Sequence, residues 1–246
     1  MDQKSQWFAD WFDTEYYHVL YQNRDEAEAL NFLSRLCSHL ELGQGAKVAD
    51  IACGKGRHSR VLSSFGCTVF GFDLSENSIE YAKSKATESE SYFVQDIREP
   101  FLAKDFDAAM NLFTSFGYFD TQEEDEVTLR NISDMLKPGA YFVQDYLNGQ
   151  PIISDLPVSG AKTAQGMAFS WTKEFKAPHI VKSISVDDAG TEHLFQEKVK
   201  VYSMEEMKAL HVQSGLIPLQ FYGNYDLEPY VAATSPRIII ISQKQA

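Results

Sequence analysis

Apolar residues recur with two periods along the 246 residues of this chain. Short β-branched or aromatic runs at 47–51 (KVADI), 67–72 (CTVFGF), 91–95 (SYFVQ), 106–112 (FDAAMNL) and 140–147 (AYFVQDYL) predict strands. Between them, 56–65, 76–86 and 121–137 carry apolar positions at three- and four-residue spacings and predict helices, the last stopping at Lys-Pro-Gly. Two parallel strands need a crossover between them, and that crossover is nearly always a right-handed helical one. The alternation therefore predicts an α/β fold, a doubly wound parallel sheet with helices on both faces.

Two segments break the alternation. Ahead of the first strand, 5–20 and 24–42 read as helices separated around the polar YQNRD. After the fifth strand, 150–165 is a Pro/Gly/Ser loop, followed by three β-rich runs, MAFSWTKEFK, HIVKSISVD and TEHLFQEKVKVY, with turn signals between them. They predict an antiparallel meander inserted into the sheet-building order. A helix at 203–214 follows, its start marked by Ser203 with Glu206 three residues on, a capping box. A strand at 217–223 and a final run, RIIIIS, close the sheet. The expected organisation is one domain over 1–246, with a helical N-terminal segment (1–42) as a lid and a loop and β insertion at 150–202.

A formal charge of −13 argues against sequence-independent binding to nucleic acid or anionic lipid, where phosphate neutralisation supplies most of the affinity. The expected partner is a small molecule, with neither nucleic acid nor membrane involved and the chain acting as a monomer or homodimer. No apolar run approaches the roughly 20 residues of a membrane span, and the N-terminus lacks the pattern of a secretory signal, so the cytoplasm is the expected location. Cys37, Cys53 and Cys67 are too few for a disulfide framework and have no zinc spacing, so reduced thiols and no metal are expected.

The chemistry centres on VADIACGKGRHS, residues 48–59. In an open α/β sheet the first strand-to-helix loop is the usual ligand cradle. A dinucleotide fingerprint needs G-x-G-x-x-G/A, but after Gly54 and Gly56 the third place is Ser59; P-loop spacing is absent as well. Asp50 instead puts a carboxylate at the end of the strand. That is unfavourable beside a pyrophosphate and favourable beside a cationic ligand such as S-adenosylmethionine, though a carboxylate here can also simply cap the turn. Asp73 ends the second strand, where an acidic side chain can take both hydroxyls of an adenosine ribose; Asp73 or Ser75 is equally an ordinary helix N-cap. Asp96 follows the third strand. Three successive strands thus each end in an acidic residue on one edge of the sheet.

The series VADIACGKGRHS, VFGFDLSENSIEYAK, FVQDIREPF, FDAAMNLFTSFGYF and MLKPGAYFV resembles, in order and spacing, the motifs of class I S-adenosylmethionine-dependent methyltransferases. The layout is most similar to small-molecule N-methyltransferases. The resemblance implies a Rossmann-like sheet of seven strands with the last antiparallel. It also implies a cofactor site in which Gly54 and Gly56 face the methionine part and Asp50 lies near the ammonium, with Ala52 and His58 cofactor-binding in the same loop. Asp73 would take the ribose, Leu74 the adenine face, Asp96 and Ile97 the adenine edge, and Asn111 the methionine end. N-terminal aromatics that close over the cofactor would correspond to Tyr16, Tyr17, Tyr21 and Arg24, although amphipathic spacing there equally describes a packing helix.

Methyl transfer from a sulfonium is a direct displacement, so the protein chiefly holds the reactants in line in a water-poor pocket. A base helps only where the acceptor must lose a proton. The residues expected at the carboxyl edge of the sheet are Tyr118, Asp145 and Asp226, with His58, Tyr146, Tyr225 and Tyr230 nearby; each has an ordinary structural alternative. The aromatic rim favours a planar or cationic acceptor. The rival readings are a nicotinamide-dependent oxidoreductase and a non-catalytic S-adenosylmethionine-binding protein.

Overall fold

The computed structural model describes residues 7–22 and 26–245. Its central sheet contains β1 (Lys47–Ile51), β2 (Thr68–Asp73), β3 (Glu90–Val94), β4 (Phe106–Asn111), β5 (Leu136–Leu147), β10 (Leu216–Tyr222) and β11 (Arg237–Lys244). The spatial order is β10-β11-β5-β4-β1-β2-β3, with the first five strands of the chain parallel and β11 antiparallel to both neighbours. The doubly wound seven-stranded sheet with an antiparallel last strand is the one expected.

The sheet is interior on both faces, and the sequence runs show why. Ile238 and Ile240 face one apolar cluster while Ile239 and Ile241 face the other, so β11 needs four consecutive isoleucines rather than an alternation. One face is covered by α3 (Glu26–His39) and α4 (Arg57–Ser64) through Leu33, Leu36, Val61 and Leu62. The other carries α6 (Gln122–Met135) and α8 (Met204–Gln213) through Leu129, Ile132, Met207 and Leu210. Both helices begin with capping boxes, Thr121 with Glu124 and Ser203 with Glu206. The strand order reverses between β1 and β4, which opens a crevice at the carboxyl ends of the strands.

The excursion after β5 is a separate antiparallel sheet of β6 (Val158–Ala164), β7 (Met167–Lys176), β8 (His179–Asp188) and β9 (Thr191–Lys200). The segment 150–165, expected to be a loop, instead holds α7 (Gly149–Ser154) and the edge strand β6. The single helix expected at 5–20 is broken into α1 (Trp7–Phe12) and α2 (Glu15–Leu20), because Thr14 turns the chain and caps α2 by accepting from Tyr17 N at 3.2 Å. These helices pack on the second sheet, Trp11, Val19 and Leu20 meeting Phe169, Ile184 and Val186. Together they roof the crevice.

Candidate active site

A cavity of about 610 Å³ lies between the carboxyl edge of the central sheet and this roof. Of the residues expected at a cofactor, Tyr21, Ala52, Gly54, His58, Asp73, Leu74, Asp96 and Ile97 line it. The loop after β1 reaches the cavity through left-handed backbone at Ala52 (φ 57°) and Gly54 (φ 53°). A Cβ on Gly54 would meet nothing within 4 Å, so the backbone there is open to the cavity.

Asp73 stands at the tip of β2 with Oδ2 accepting from Gly54 N at 2.7 Å and Oδ1 from Ser75 N at 2.9 Å. Burial raises its pKa and the backbone donors work against that rise. Each oxygen keeps a lone pair, which suits two neighbouring hydroxyls. The Asp96 carboxylate is engaged differently: Arg98 holds it through Nε at 3.0 Å, Nη2 at 2.6 Å and its backbone N at 2.9 Å. Burial pushes the Asp96 pKa up, but the Arg98 hydrogen bonds outweigh it and the carboxyl sits below its usual range. His58 is buried and its Nε2 accepts from Arg57 Nη2 at 3.0 Å. Burial first, and the Arg57 charge second, lower its pKa to about 3, so the ring is neutral at pH 7.

Three expected cofactor contacts lie outside the cavity. Asp50 is fully buried beneath the loop, where it accepts from Ser59 Oγ at 2.6 Å. Ser59, the residue that departs from a dinucleotide fingerprint, is thus the partner of the carboxylate that replaces it. Gly56 (φ 75°) is shaped by Tyr92, whose hydroxyl would lie 2.5 Å from an added Cβ. Asn111 is buried and ties the end of β1 to the loop after β4, donating to Ile51 O at 3.1 Å and Ser115 O at 3.4 Å. Arg24 lies outside the described residues.

The catalytic expectations divide. Tyr118 lines the cavity, its hydroxyl donating to the Thr114 carbonyl and its ring packed by Trp7, Phe8 and Phe12. Asp145 does not reach the cavity: its buried carboxylate accepts from Phe113 N (2.9 Å), Tyr225 Oη (2.9 Å) and Arg237 Nε (2.7 Å). Asp226 is exposed and paired with Arg35 at 3.1 Å. Tyr146 is buried under the loop after β4, donating to the Lys200 carbonyl.

The roof supplies residues that lie outside the sequence motifs. Lys173, Ile180, Lys182, Glu197 and Val199 of the second sheet line the cavity, as does His18 of α2. Lys182 Nζ donates to Tyr21 Oη at 2.6 Å, and that hydroxyl lies 2.7 and 2.9 Å from the Glu197 carboxylate oxygens. A signal for Lys182 was present: it falls in phase with Ile180 and Ile184, an ionisable residue on the apolar face of an alternating strand. His18 Nε2 is buried without a hydrogen-bond partner among the described residues, and burial, then the Lys55 charge, lower the His18 pKa to about 4. Asp13 straps the roof to the floor, accepting from Ser75 Oγ and, at 2.7 Å, from Asn77 Nδ2.

A glycine loop, a carboxylate held by two backbone amides at the tip of β2 and a roofed crevice at the strand-order reversal sit together on a Rossmann-like sheet. Residues 49–144 match the family model described as a methyltransferase domain. A solved S-adenosylmethionine-dependent methyltransferase from Clostridium acetobutylicum superposes with a TM-score of 0.79 at 17% identity, covering 94% of this chain and 96% of that one. Residues 49–144 are thus similar to a methyltransferase domain, and the superposition shows a shared fold over nearly the whole chain. Among curated relatives, dTDP-3-amino-3,4,6-trideoxy-alpha-D-glucopyranose N,N-dimethyltransferase of Streptomyces venezuelae is 30% identical over 101 residues, 41% of this chain and 42% of the relative. Ubiquinone biosynthesis O-methyltransferase of Leptothrix cholodnii is 27% identical over 148 residues, 59% of this chain and 62% of the relative. The chain spans about half the length of the curated relatives it matches.

Proposed function

We propose that this protein is an S-adenosylmethionine-dependent methyltransferase that moves a methyl group by direct displacement to a nitrogen or oxygen of a small molecule, releasing S-adenosylhomocysteine. The observation that carries this reading is the Asp73 carboxylate, fixed by two backbone donors at the edge of a cavity whose wall is left open at Gly54. Leu74 and Ile97 add apolar surface beside it for a flat base. When bound, S-adenosylmethionine supplies a methyl group already activated on a sulfonium. The chain's own task is then to exclude water and orient the acceptor, which the aromatic residues of α1 and the second sheet suit by closing the crevice. Tyr118 Oη, donating to Thr114 O, can still accept a hydrogen bond from an acceptor N–H or O–H. The neutral His18 ring is a second group able to receive one.

The reading extends to one catalytic domain over the whole chain, working in the cytoplasm as a monomer or homodimer without nucleic acid. The free, buried state of all three cysteines suits a reducing compartment. Among the described residues, no helix is long and apolar enough to cross a membrane. Isothermal titration with S-adenosylhomocysteine, with NADH for comparison, tests the cofactor. Transfer of labelled methyl groups into a panel of amines, phenols and carboxylic acids then tests the acceptor class. A preference for NADH would overturn the reading, as would label appearing only in RNA or protein.

A further inference from the structure

We propose that the methyl acceptor carries an anionic group, a carboxylate or a phosphate, that seats against Lys173 and Lys182 on the roof of the cavity. The inference rests on the methyltransferase reading and deepens it. Sheet register puts Lys173 directly opposite Lys182, and Lys182 directly opposite Glu197. All three line the cavity, so the row places two cations beside one anion. Like charges facing each other across an antiparallel pair destabilise a sheet, and here they do so on a face shielded from bulk water. Glu197 answers only part of this. Its carboxylate already accepts from Trp11 Nε1 at 2.9 Å and is bridged to Lys182 through the Tyr21 hydroxyl. Lys173 is half-buried and has no hydrogen-bond or ion-pair partner among the described residues.

The two arginines of the cavity wall are committed elsewhere, Arg237 to Asp145 at 2.7 Å and Arg57 to Glu28 at 3.3 Å. Lys55, the third lysine of the cavity, stands on the floor with its ammonium 5.1 Å from the Tyr81 ring, so the positive charge on the roof is that of the lysine pair. An anion between the two ammonium groups relieves their repulsion and gives Lys173 a charge-assisted partner. Trp7, Phe12 and Tyr118 form an aromatic wall in the same cavity, which suits a flat or apolar acceptor body. The planar part of the sequence expectation is supported by that wall. A purely cationic acceptor is disfavoured by the lysines.

The test is titration of the protein, saturated with S-adenosylhomocysteine, with four probes of similar shape: benzoate, phenyl phosphate, benzyl alcohol and benzylamine. The anionic probes are expected to bind in preference to the neutral and cationic ones, and phosphate against carboxylate is read from which anion binds tighter. Lys173→Gln should weaken the anion by roughly tenfold or more. Lys173→Arg should retain binding, and Lys176→Gln, at the exposed end of the same strand, should leave it unchanged. Equal or tighter binding of benzylamine would overturn the proposal, as would anion binding indifferent to Lys173→Gln or no binding of any probe. Failure of S-adenosylhomocysteine to bind would count against the methyltransferase reading instead; the same titration on the unliganded protein still reports the charge preference of the roof.

Discussion

Asp145 is the sharpest case for separating chemistry from architecture. It stands at the carboxyl edge of the sheet, as a catalytic base would, yet its carboxylate is wholly enclosed and accepts from a backbone amide, a tyrosine and an arginine. Burial works against the Arg237 charge, and the Asp145 carboxylate more than offsets that, pushing the guanidinium above its ordinary range. Asp145→Ala leaves this guanidinium, about one-fifth exposed, without a counter-charge. Breaking a buried pair from one side costs about 3–5 kcal/mol. For a chain of this size each kcal/mol moves Tm by roughly 2–4 °C, so a fall of about 6–20 °C is expected. Removing both charges, Asp145→Ala with Arg237→Met, should recover most of the loss, since the unpaired ion is what destabilises. Thermal unfolding of wild type, the two single variants and the double variant completes the cycle. A Tm within about 2 °C of wild type for Asp145→Ala, together with abolished methyl transfer, would refute this account and restore Asp145 to catalysis.

The glycines of the loop should separate folding from binding. Gly54→Ala, with open space around its Cβ, should cost about 1 kcal/mol of stability from the positive φ while sharply weakening S-adenosylhomocysteine in titration calorimetry. Gly56→Ala drives a methyl group into the Tyr92 ring and should lower stability by about 2–3 kcal/mol in urea unfolding. Burial raises the Asp50 pKa from 3.8 to about 7, so folding favours its protonated form. The resulting stabilisation is fully present below about pH 4 and is lost as pH rises to about 7. Asp50→Asn, which keeps an acceptor for Ser59, should therefore gain stability relative to wild type across that window and then level off, as measured by urea titrations at successive pH values. Asp13→Ala removes the strap onto Ser75 and Asn77 and should weaken S-adenosylhomocysteine about fivefold, near 1 kcal/mol after allowance for solvent screening, with Tm little changed.

The central sheet was legible because its strands are buried on both faces, and a strand such as RIIIIS can then only be apolar throughout. The edge strand β6, VSGAKTA, was not legible. Most of its side chains are exposed or half-buried, and it is a strand through backbone pairing with β7, which leaves no apolar signature. The division of the N-terminal helix at Asp13 and Thr14 was written locally, as a capping residue inside an amphipathic run, and was masked by the strength of that run.

Within the site, the sequence by itself determined the floor. A strand-end acid followed at once by a helix start, and glycines at the first strand-to-helix turn, are local patterns, and Asp73 and Gly54 both line the cavity. Asp50, Asp145 and Asp226 looked alike as acidic residues near strand ends, and only tertiary structure told them apart. The partner of Asp145 lies 92 residues away on β11, that of Asp226 far back on α3, and Asp50 is sealed under its own loop by Ser59. The roof was decided the same way. Lys173, Lys182 and Glu197 become one charged row only when three antiparallel strands fall into register, and Tyr21 joins it only because α2 packs on that sheet. A charge carries its chemistry in its own residue, but whether it is spent on a partner or offered to a ligand depends on what the fold places within a few ångströms of it.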